Sequence, residues 1–242
     1  MSKDLTLNLT TTEKEVILRT GEALKEGHAL PINISGTLQA PFQFYDGKQK
    51  ACNADDCHIL IQNDKGIISL IVEDIHPFSR STITGSLTKD KVLELFKINT
   101  EHRWGIQEFL KFIKTMSFYF ADRTQHQTLI ASLQKWRVKV ERVITEHNDQ
   151  KGNSDFQLQT KVQQSAEEGG LLTHFDLNIP IFQGYPKAKF KVEIGLDPRN
   201  TVVDLFLISD ELIVLEIGQR EKLIQDELDK FSEFPCSKIV VS

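Results

Sequence analysis

The last third of the chain, from about Leu172 to Val241, alternates apolar and polar residues, and this pattern constrains the fold more than any other feature. The alternation runs through residues 173–182 and again through residues 188–194. Because successive side chains of a strand point to opposite faces, a period of two predicts a sheet with one packed and one solvated face. We predict strands near 173–182, 187–196 and 201–208, a strand or helix start at 212–217, an amphipathic helix over 220–231 and an edge strand at 238–241.

The first half contains one strong hairpin signal. Residues 58–62 and 67–72 are rich in aliphatic side chains and flank the turn sequence Asn63-Asp64-Lys65-Gly66. The second run is apolar on both faces, which predicts a central strand. Around this hairpin we predict a helix over 12–26, begun by a capping box of Thr12 and Glu15, a strand over 31–38 and a loop over 81–87.

The middle of the chain has the spacing of helices. Ile106, Phe109 and Ile113 recur at helical intervals, which predicts a helix over 106–116. We also predict a helix over 89–98 capped by Thr88, a helix from Asp122 or Thr124 to Gln134, and a hairpin of strands 137–145 and 156–162. The fold class is therefore α+β, mostly antiparallel sheet with a helical middle segment and a C-terminal helix. The predicted organisation is an N-terminal helix and strand segment over 1–50 and a main domain over 51–242, or a single domain overall.

The charge of the chain is unevenly distributed. Residues 89–142 hold 11 Lys and Arg against 6 Asp and Glu, a net charge of +5, whereas residues 143–242 hold 10 against 17, a net charge of −7. This asymmetry indicates an anion-binding face, contacts between oppositely charged regions of neighbouring subunits, or simply solvated helix faces. The overall net charge of −5 disfavours a protein that coats long duplex DNA.

Cations alternate with aromatic residues in the basic middle, as they do in grooves that neutralise phosphates while rings stack on bases. On a strand, Lys135, Arg137 and Lys139 would share one face and form a positive stripe. The alternative is that the rings belong to the core and the lysines are solvated. The predicted ligand-binding residues are Arg103, Trp104, Lys111, Lys114, Arg123, Lys135, Trp136, Arg137, Lys139 and Arg142.

Two acidic residues, Asp204 and Glu216, suggest a Mg²⁺-dependent nuclease, in which acids on adjacent strands hold the metal and a lysine stabilises developing charge. Gly218 occupies the position where such enzymes carry the lysine, so the site lacks a component. The sequence contains no phosphate-binding loop, no dinucleotide fingerprint and no nucleophile elbow. We therefore predict a protein that is not an enzyme and uses no cofactor.

Three cysteines without framework spacing argue against a disulfide scaffold. Cys52 and Cys57, with His58 and His76, invite comparison with a zinc site, but the cysteines are five positions apart and no second ligand pair follows, so we predict no metal. No apolar stretch approaches the roughly 18–20 residues that span a bilayer, and no signal-peptide core follows Met1. We predict no membrane partner and a location in the cytoplasm of the cell that makes the protein.

Three stretches resemble a known family. They are Leu93 to Phe96 with Gly105 to Ile113, then Phe175 to Gly184, and the helix after Leu205 to Ile208. Their order over residues 55–241 is similar to that of the YfdQ-like family of uncharacterised phage and prophage proteins. The Gln-Glu-Phe-x-x-Phe helix and the Ile-Pro-Ile-Phe-x-Gly element are the more specific parts, whereas the first hairpin lacks the Trp and Arg of the family. The resemblance implies a phage or prophage origin and an accessory role, and it supplies no catalytic residues.

Three functional hypotheses follow. The first is a phage-encoded, non-enzymatic accessory protein that binds a phosphate-bearing ligand through the basic middle, either single-stranded nucleic acid or a nucleotide signal of host defence. The second is an interaction or assembly module, in which the sheet near 187–208 and the acidic tail contact the basic middle of a neighbour in a homo-oligomer. The third is the metal-dependent nuclease.

Overall fold

The computed structural model of the chain describes residues 31–48, 57–72, 80–149, 161–167, 170–199, 202–232 and 238–241. The predicted helix over 12–26 lies outside these ranges. Within them the chain forms two sheets and six α-helices, which confirms the predicted α+β class. No helix of this described part is long and apolar enough to cross a membrane.

Strands and helices are interspersed along the chain. The strands are β1 (Asn33–Thr37), β2 (Cys57–Gln62), β3 (Ile67–Val72), β4 (Ser81–Ser86), β5 (Trp104–Gly105), β6 (His174–Pro180), β7 (Lys187–Arg199), β8 (Val202–Ile208) and β9 (Lys238–Val241). The helices are α1 (Ala40–Lys48), α2 (Lys91–Phe96), α3 (Ile106–Thr115), α4 (Arg123–Asp149), α5 (161–167) and α6 (Asp210–Ser232).

The first sheet has the order β1-β4-β3-β2-β9 and contains the predicted hairpin. β2 and β3 pair antiparallel, with Ile59 opposite Leu70, and β3 is the central strand, so both predictions are confirmed. β1 pairs parallel with β4, and the predicted edge strand β9 pairs parallel with β2. The buried side chains of this sheet pack with Tyr45 of α1 and with Ile224 and Phe231 of α6.

The predicted loop over 81–87 is wrong, because Ser81–Ser86 forms β4 and pairs on both sides. Its Ser, Thr and Gly residues are typical of turns, but their packing favours a strand. A Cβ added to Gly85 would lie 2.6 Å from both Leu38 O and Pro41 Cδ. The glycine therefore allows the start of α1 to pack directly on the strand.

The second sheet is fully antiparallel in the order β5-β8-β7-β6, which confirms the three predicted strands of the last third. Its packed face places Phe175, Leu177, Phe190 and Val192 in a core shared with α2, α3 and α4. β7 extends to Arg199, three residues beyond the predicted end of this strand at 196. The alternation of apolar and polar residues thus identified the packed face.

The predicted hairpin of strands 137–145 and 156–162 is wrong. α4 runs without interruption to Asp149, and residues 161–167 are helical, while residues 156–160 lie outside the described ranges. Valines at alternate positions imitate a strand, but residues 137–145 contain no Gly or Pro that would end the helix begun at Arg123.

The start and the buried face of α4 follow helical rules. Asp122 caps the helix as predicted, because its Oδ1 accepts a hydrogen bond from the Thr124 N–H at 2.8 Å. Leu129, Leu133 and Trp136 are four and three positions apart and are all buried. This spacing places one face of the helix in the core of the second sheet.

α6 connects the two cores. Its first half places Leu212 in the core of the second sheet, and its second half places Ile224 and Phe231 in the core of the first. The run over 212–217 is therefore helix rather than strand. Between the sheets, Gln39 Nε2 donates a hydrogen bond of 2.5 Å to the Tyr185 hydroxyl, and burial raises the pKa of Tyr185.

Candidate functional site

A cavity of about 490 Å³ lies between α2, the loop that follows it and the first half of α6. Leu93, Ile98, Leu212 and Ile213 give it an apolar lining, and two lysines and two glutamates add charge of both signs. A volume of this size suits a small ligand or one segment of a larger partner.

The wall formed by α2 begins later than the sequence predicts. The cap is Asp90 rather than Thr88, because Asp90 Oδ1 accepts from the Val92 N–H at 2.8 Å. The backbone of residues 88–90 bonds instead to the residues that follow β6: Gln183 N donates to Thr88 O, and Asp90 N donates to Ile181 O, both at 2.9 Å. These bonds attach the wall to the second sheet.

The loop after α2 is tied to the start of α6. Lys97 ends α2 in the left-handed region at a φ of 54°, and Asn99 has a φ of 56°. Asn99 Nδ2 donates to Ser209 O and Asn99 Oδ1 accepts from Ser209 N, each at 2.8 Å. Ser209 Oγ in turn accepts from the Leu212 N–H at 3.1 Å and so caps α6. Both walls of the cavity are therefore held by hydrogen bonds.

Ion pairing neutralises part of the charge around the cavity. Lys89 Nζ lies 2.9 Å from Glu216 Oε1 and joins the segment before α2 to α6. The other two charged residues of the lining, Lys97 and Glu94, are also of opposite sign. A lining with balanced charge favours an uncharged or amphipathic occupant over a polyanion.

Exposed apolar side chains lie on both helices that line the cavity. Ile213, Val214 and Ile217 on α6 are 47%, 70% and 42% exposed, and Leu95 on α2 is 50% exposed. We refer to Ile213, Val214 and Ile217 as the α6 patch. Single exposed apolar residues are common, but a contiguous patch beside a cavity is typical of a binding surface.

Sequence reasoning missed this surface although a signal was present. Residues 212–217 read Leu-Ile-Val-Leu-Glu-Ile. A helix that buries one face needs only three or four apolar residues in two turns. Five of these six residues are apolar, which exceeds that number and indicates a second apolar face, the one that α6 exposes.

The tryptophans of the predicted ligand site are core residues. Trp136 is fully buried, and its Nε1 donates to Ser165 Oγ at 3.2 Å. Trp104 is 7% exposed and stacks on Phe112 with ring centroids 4.7 Å apart. The prediction that these two rings stack on a ligand is wrong, because neither presents a face to solvent.

The predicted cations do not converge. Arg103 is held by Asp197 at 3.1 Å and lies 4.5 Å from the centre of the Phe206 ring. The positive stripe is also wrong, because α4 is helical and positions 135 and 137 are about 200° apart around its axis. Lys111, Lys114, Arg123 and Lys135 are exposed, Arg137 is half-buried, and the side chains of Lys139 and Arg142 lie outside the described part.

Lysines on the open face of the second sheet are paired with acids. Lys189 lies 3.1 Å from Asp176, and Lys191 lies 2.7 Å from Glu193. The hydrogen bond raises the pKa of Lys191 and lowers the pKa of Glu193. This face therefore offers little unpaired positive charge to an anion.

The two acids of the nuclease hypothesis lie on different elements. Asp204 is on β8 opposite Asp197, whereas Glu216 is on α6 and pairs with Lys89. Among the described residues, no group of three or more His, Cys, Asp or Glu is arranged to hold a metal. Of the residues considered for zinc, Cys57 is buried and forms no disulfide with another described residue, and Cys52 and His76 lie outside the described ranges.

No protein-family model, no curated protein and no solved structure matches the chain. The resemblance to the YfdQ-like family stays a prediction.

Proposed function

We propose that the protein is a non-enzymatic interaction module that binds a partner protein on the surface formed by α2, the loop after it and α6. The observation that carries this proposal is the α6 patch, whose most exposed member, Val214, is 70% exposed. Burial of such residues against a partner supplies the main favourable term in protein association. A phage or prophage origin, which the family resemblance implies, is compatible with an accessory role of this kind.

The extent of the apolar surface favours a protein over a small molecule. Ile213 contributes to both the cavity and the patch, so the apolar surface continues from one into the other. Val214 and Ile217 extend it along α6 outside the lining of the cavity. A helix or extended segment with its own apolar stripe covers a surface of this shape.

A random peptide library displayed on phage and selected on the full chain tests the proposal. Enriched peptides should carry spaced apolar residues, and Ile213→Asp should weaken their binding about tenfold or more, because a carboxylate would be buried against apolar groups. Ile32→Asp is the matched control, since Ile32 is also 47% exposed but precedes β1. Selection of no peptide, or equal binding to both variants, would reject the proposed surface.

A second candidate function is the binding of a phosphate-bearing ligand, and one observation favours it. Phe118, between α3 and α4, is 76% exposed, with Lys187 Nζ 4.5 Å from its ring centre. Lys114 and Arg123 are exposed nearby in the sequence. An accessible ring among cations is the arrangement on which a nucleobase stacks while its phosphate is neutralised.

A further inference from the structure

We infer that the outer edge of β1 is a dimer interface. On it, β1 of a second copy of the chain pairs antiparallel, with Ser35 opposite Ser35, and joins the two five-stranded sheets into one continuous sheet. This edge is separate from the surface formed by α2 and α6. A dimer through β1 therefore neither requires nor replaces the partner of the proposed function.

On one side of β1 the backbone groups have no partner among the described residues. β1 is an edge strand and pairs only with β4. Ile32 O accepts a hydrogen bond of 2.8 Å from Thr82 N of β4, and the direction of these groups alternates along a strand, so the even-numbered residues turn toward β4. Asn33, Ser35 and Thr37 turn their N–H and C=O groups outward, and all five residues of β1 are exposed. Such an edge is a template for a strand of another chain.

β1 also lacks the features that usually protect an edge strand. These features are a charged residue, a proline or a bulge within the strand, or a segment that covers it. β1 reads Asn-Ile-Ser-Gly-Thr, and residues 31–45 contain no charged residue, although 26% of the chain is charged. Two copies can therefore approach along this edge without local repulsion between like charges, despite the net charge of −5.

The other edge strands of the described part are covered, short or charged. At the edge formed by β6, Ala121 N donates to Asp176 O at 2.9 Å. β5, at the opposite edge of the second sheet, has only two residues, and beyond it Asn99 N donates to Leu207 O of β8 at 2.9 Å. β9, the other edge of the first sheet, begins with Lys238. β1 is thus the edge that the described chain leaves open to pairing.

The outward-facing residues specify the register of the second copy. With Ser35 opposite Ser35, Asn33 of each copy lies opposite Thr37 of the other, and all three residues form hydrogen-bonded antiparallel pairs. Each pair exchanges two hydrogen bonds, so the contact contains about six. A shift by two residues in either direction leaves only two such pairs within β1. The edge is therefore complementary to itself, as a symmetric dimer interface requires.

The apolar side chains at this edge fit the same register. Ile34 is 42% exposed, because α1 packs mainly over β4 and β3. It would lie opposite Gly36 of the second copy, where a Cβ would be only 2.9 Å from Ala40 Cβ and no side chain is present. The two Ile34 side chains would be diagonal neighbours across the axis, within reach of each other. Ile32, which is 47% exposed, would lie opposite Leu38.

Sedimentation equilibrium of the full chain up to about 100 µM tests the pairing. The chain should be a dimer, and Ser35→Pro should raise the dissociation constant about tenfold or more, because it removes both central N–H donors and leaves the opposing carbonyl groups unpaired. The N–H of residue 35 points away from β4, so the variant should unfold within about 3 °C of the unaltered chain. Ser35→Ala keeps the N–H and is the matched control.

A second substitution tests the same contact without a change to the backbone. In Ser35→Lys, two lysines would lie directly opposite each other, and like charges at such positions are destabilising. This variant should also be a weaker dimer than the unaltered chain.

Disulfide trapping tests the register. In a chain with Cys52→Ser and Cys236→Ser, the remaining described cysteine is buried. Ser35→Cys should crosslink to itself, because the Cα atoms of a hydrogen-bonded antiparallel pair lie about 5.5 Å apart, within the range of a disulfide. Asn33→Cys alone should crosslink far less, but its mixture with Thr37→Cys should crosslink. Self-crosslinking of Asn33→Cys as readily as of Ser35→Cys would overturn the register.

Two variants separate this dimer from the proposed function. Ile32→Asp should weaken the dimer, because its carboxylate would lie against Leu38 of the second copy, and should leave the binding of library peptides unchanged. Ile213→Asp should weaken peptide binding and leave the dimer intact. A monomer at about 100 µM, or a dimer that neither Ser35→Pro nor Ser35→Lys weakens, overturns the β1 interface. A dimer that only Ile213→Asp disrupts would place the contact on α6 and would also overturn it.

Discussion

Substitution of Trp136 tests whether this aromatic ring of the basic segment belongs to the core or is available to stack on a ligand. The ring is fully buried and Nε1 donates to Ser165 Oγ at 3.2 Å. Truncation of a buried tryptophan to alanine costs about 3–5 kcal/mol, and a phenyl ring keeps roughly half of that packing, so Trp136→Phe should lose about 1.5–2.5 kcal/mol through packing. The lost hydrogen bond adds about 1 kcal/mol. Ser165 Oγ keeps its bond to Val162 O at 2.7 Å, so we expect the free energy of unfolding to fall by about 2.5–3.5 kcal/mol in total.

Urea denaturation followed by circular dichroism measures this change. Phe118→Ala is the control, because that ring is 76% exposed and its loss should change the free energy of unfolding by less than about 0.5 kcal/mol. The chain has two tryptophans, so the fluorescence of Trp136 can be followed alone in Trp104→Phe. A cost below about 0.5 kcal/mol for Trp136→Phe, or quenching of Trp136 by an added oligonucleotide, would refute the assignment of this ring to the core.

Two further predictions concern charge and pH. Reversal of both Lys114 and Arg123 to Glu should lower the affinity for single-stranded oligonucleotides and reduce the slope of log affinity against log salt by about 2; Lys48→Glu with Lys65→Glu is the control of equal charge change, and equal affinities in the two variants would reject the phosphate-binding candidate. Burial raises the pKa of Tyr185, an effect that the hydrogen bond from Gln39 opposes. The folded chain holds the hydroxyl proton of Tyr185 more tightly than the unfolded chain does. The contribution of this difference to the free energy of unfolding is complete below about pH 10 and is lost as the pH rises through the raised pKa. Between about pH 9 and 11 the free energy of unfolding should fall faster for the unaltered chain than for Tyr185→Phe; equal slopes would show that the hydroxyl is not buried.

Elements with a clear local signal were predicted well from the sequence. The turn at residues 63–66 and its flanking aliphatic runs predicted the β2–β3 hairpin. The alternation of residues 173–182 and 188–194 predicted β6 and β7 and identified their buried face. Ile106, Phe109 and Ile113 predicted α3 to within one residue of its end. In each case the periodicity of neighbouring residues matches the geometry of the element.

Elements with conflicting local signals were predicted wrongly. The alternate valines of residues 138–143 suggested a strand, but these residues belong to α4. The buried Leu129, Leu133 and Trp136, at helical spacing just before them, hold that helix against the core. The Ser, Thr and Gly residues of β4 suggested a loop, but strands on both sides supply its hydrogen bonds. Tertiary partners overrode local preference in both places.

Amino-acid order alone determined the fold class, the buried face of the second sheet and the presence of a basic middle and an acidic tail. The availability of side chains for binding depended on tertiary contacts. Arg103 meets Asp197 and Trp136 meets Ser165, pairs separated by 94 and 29 positions, while α6 buries Leu212 and leaves Val214 exposed. Periodicity is a relation between neighbours in the sequence, whereas exposure depends on which distant segments pack together, so the candidate site emerged only from the packed chain.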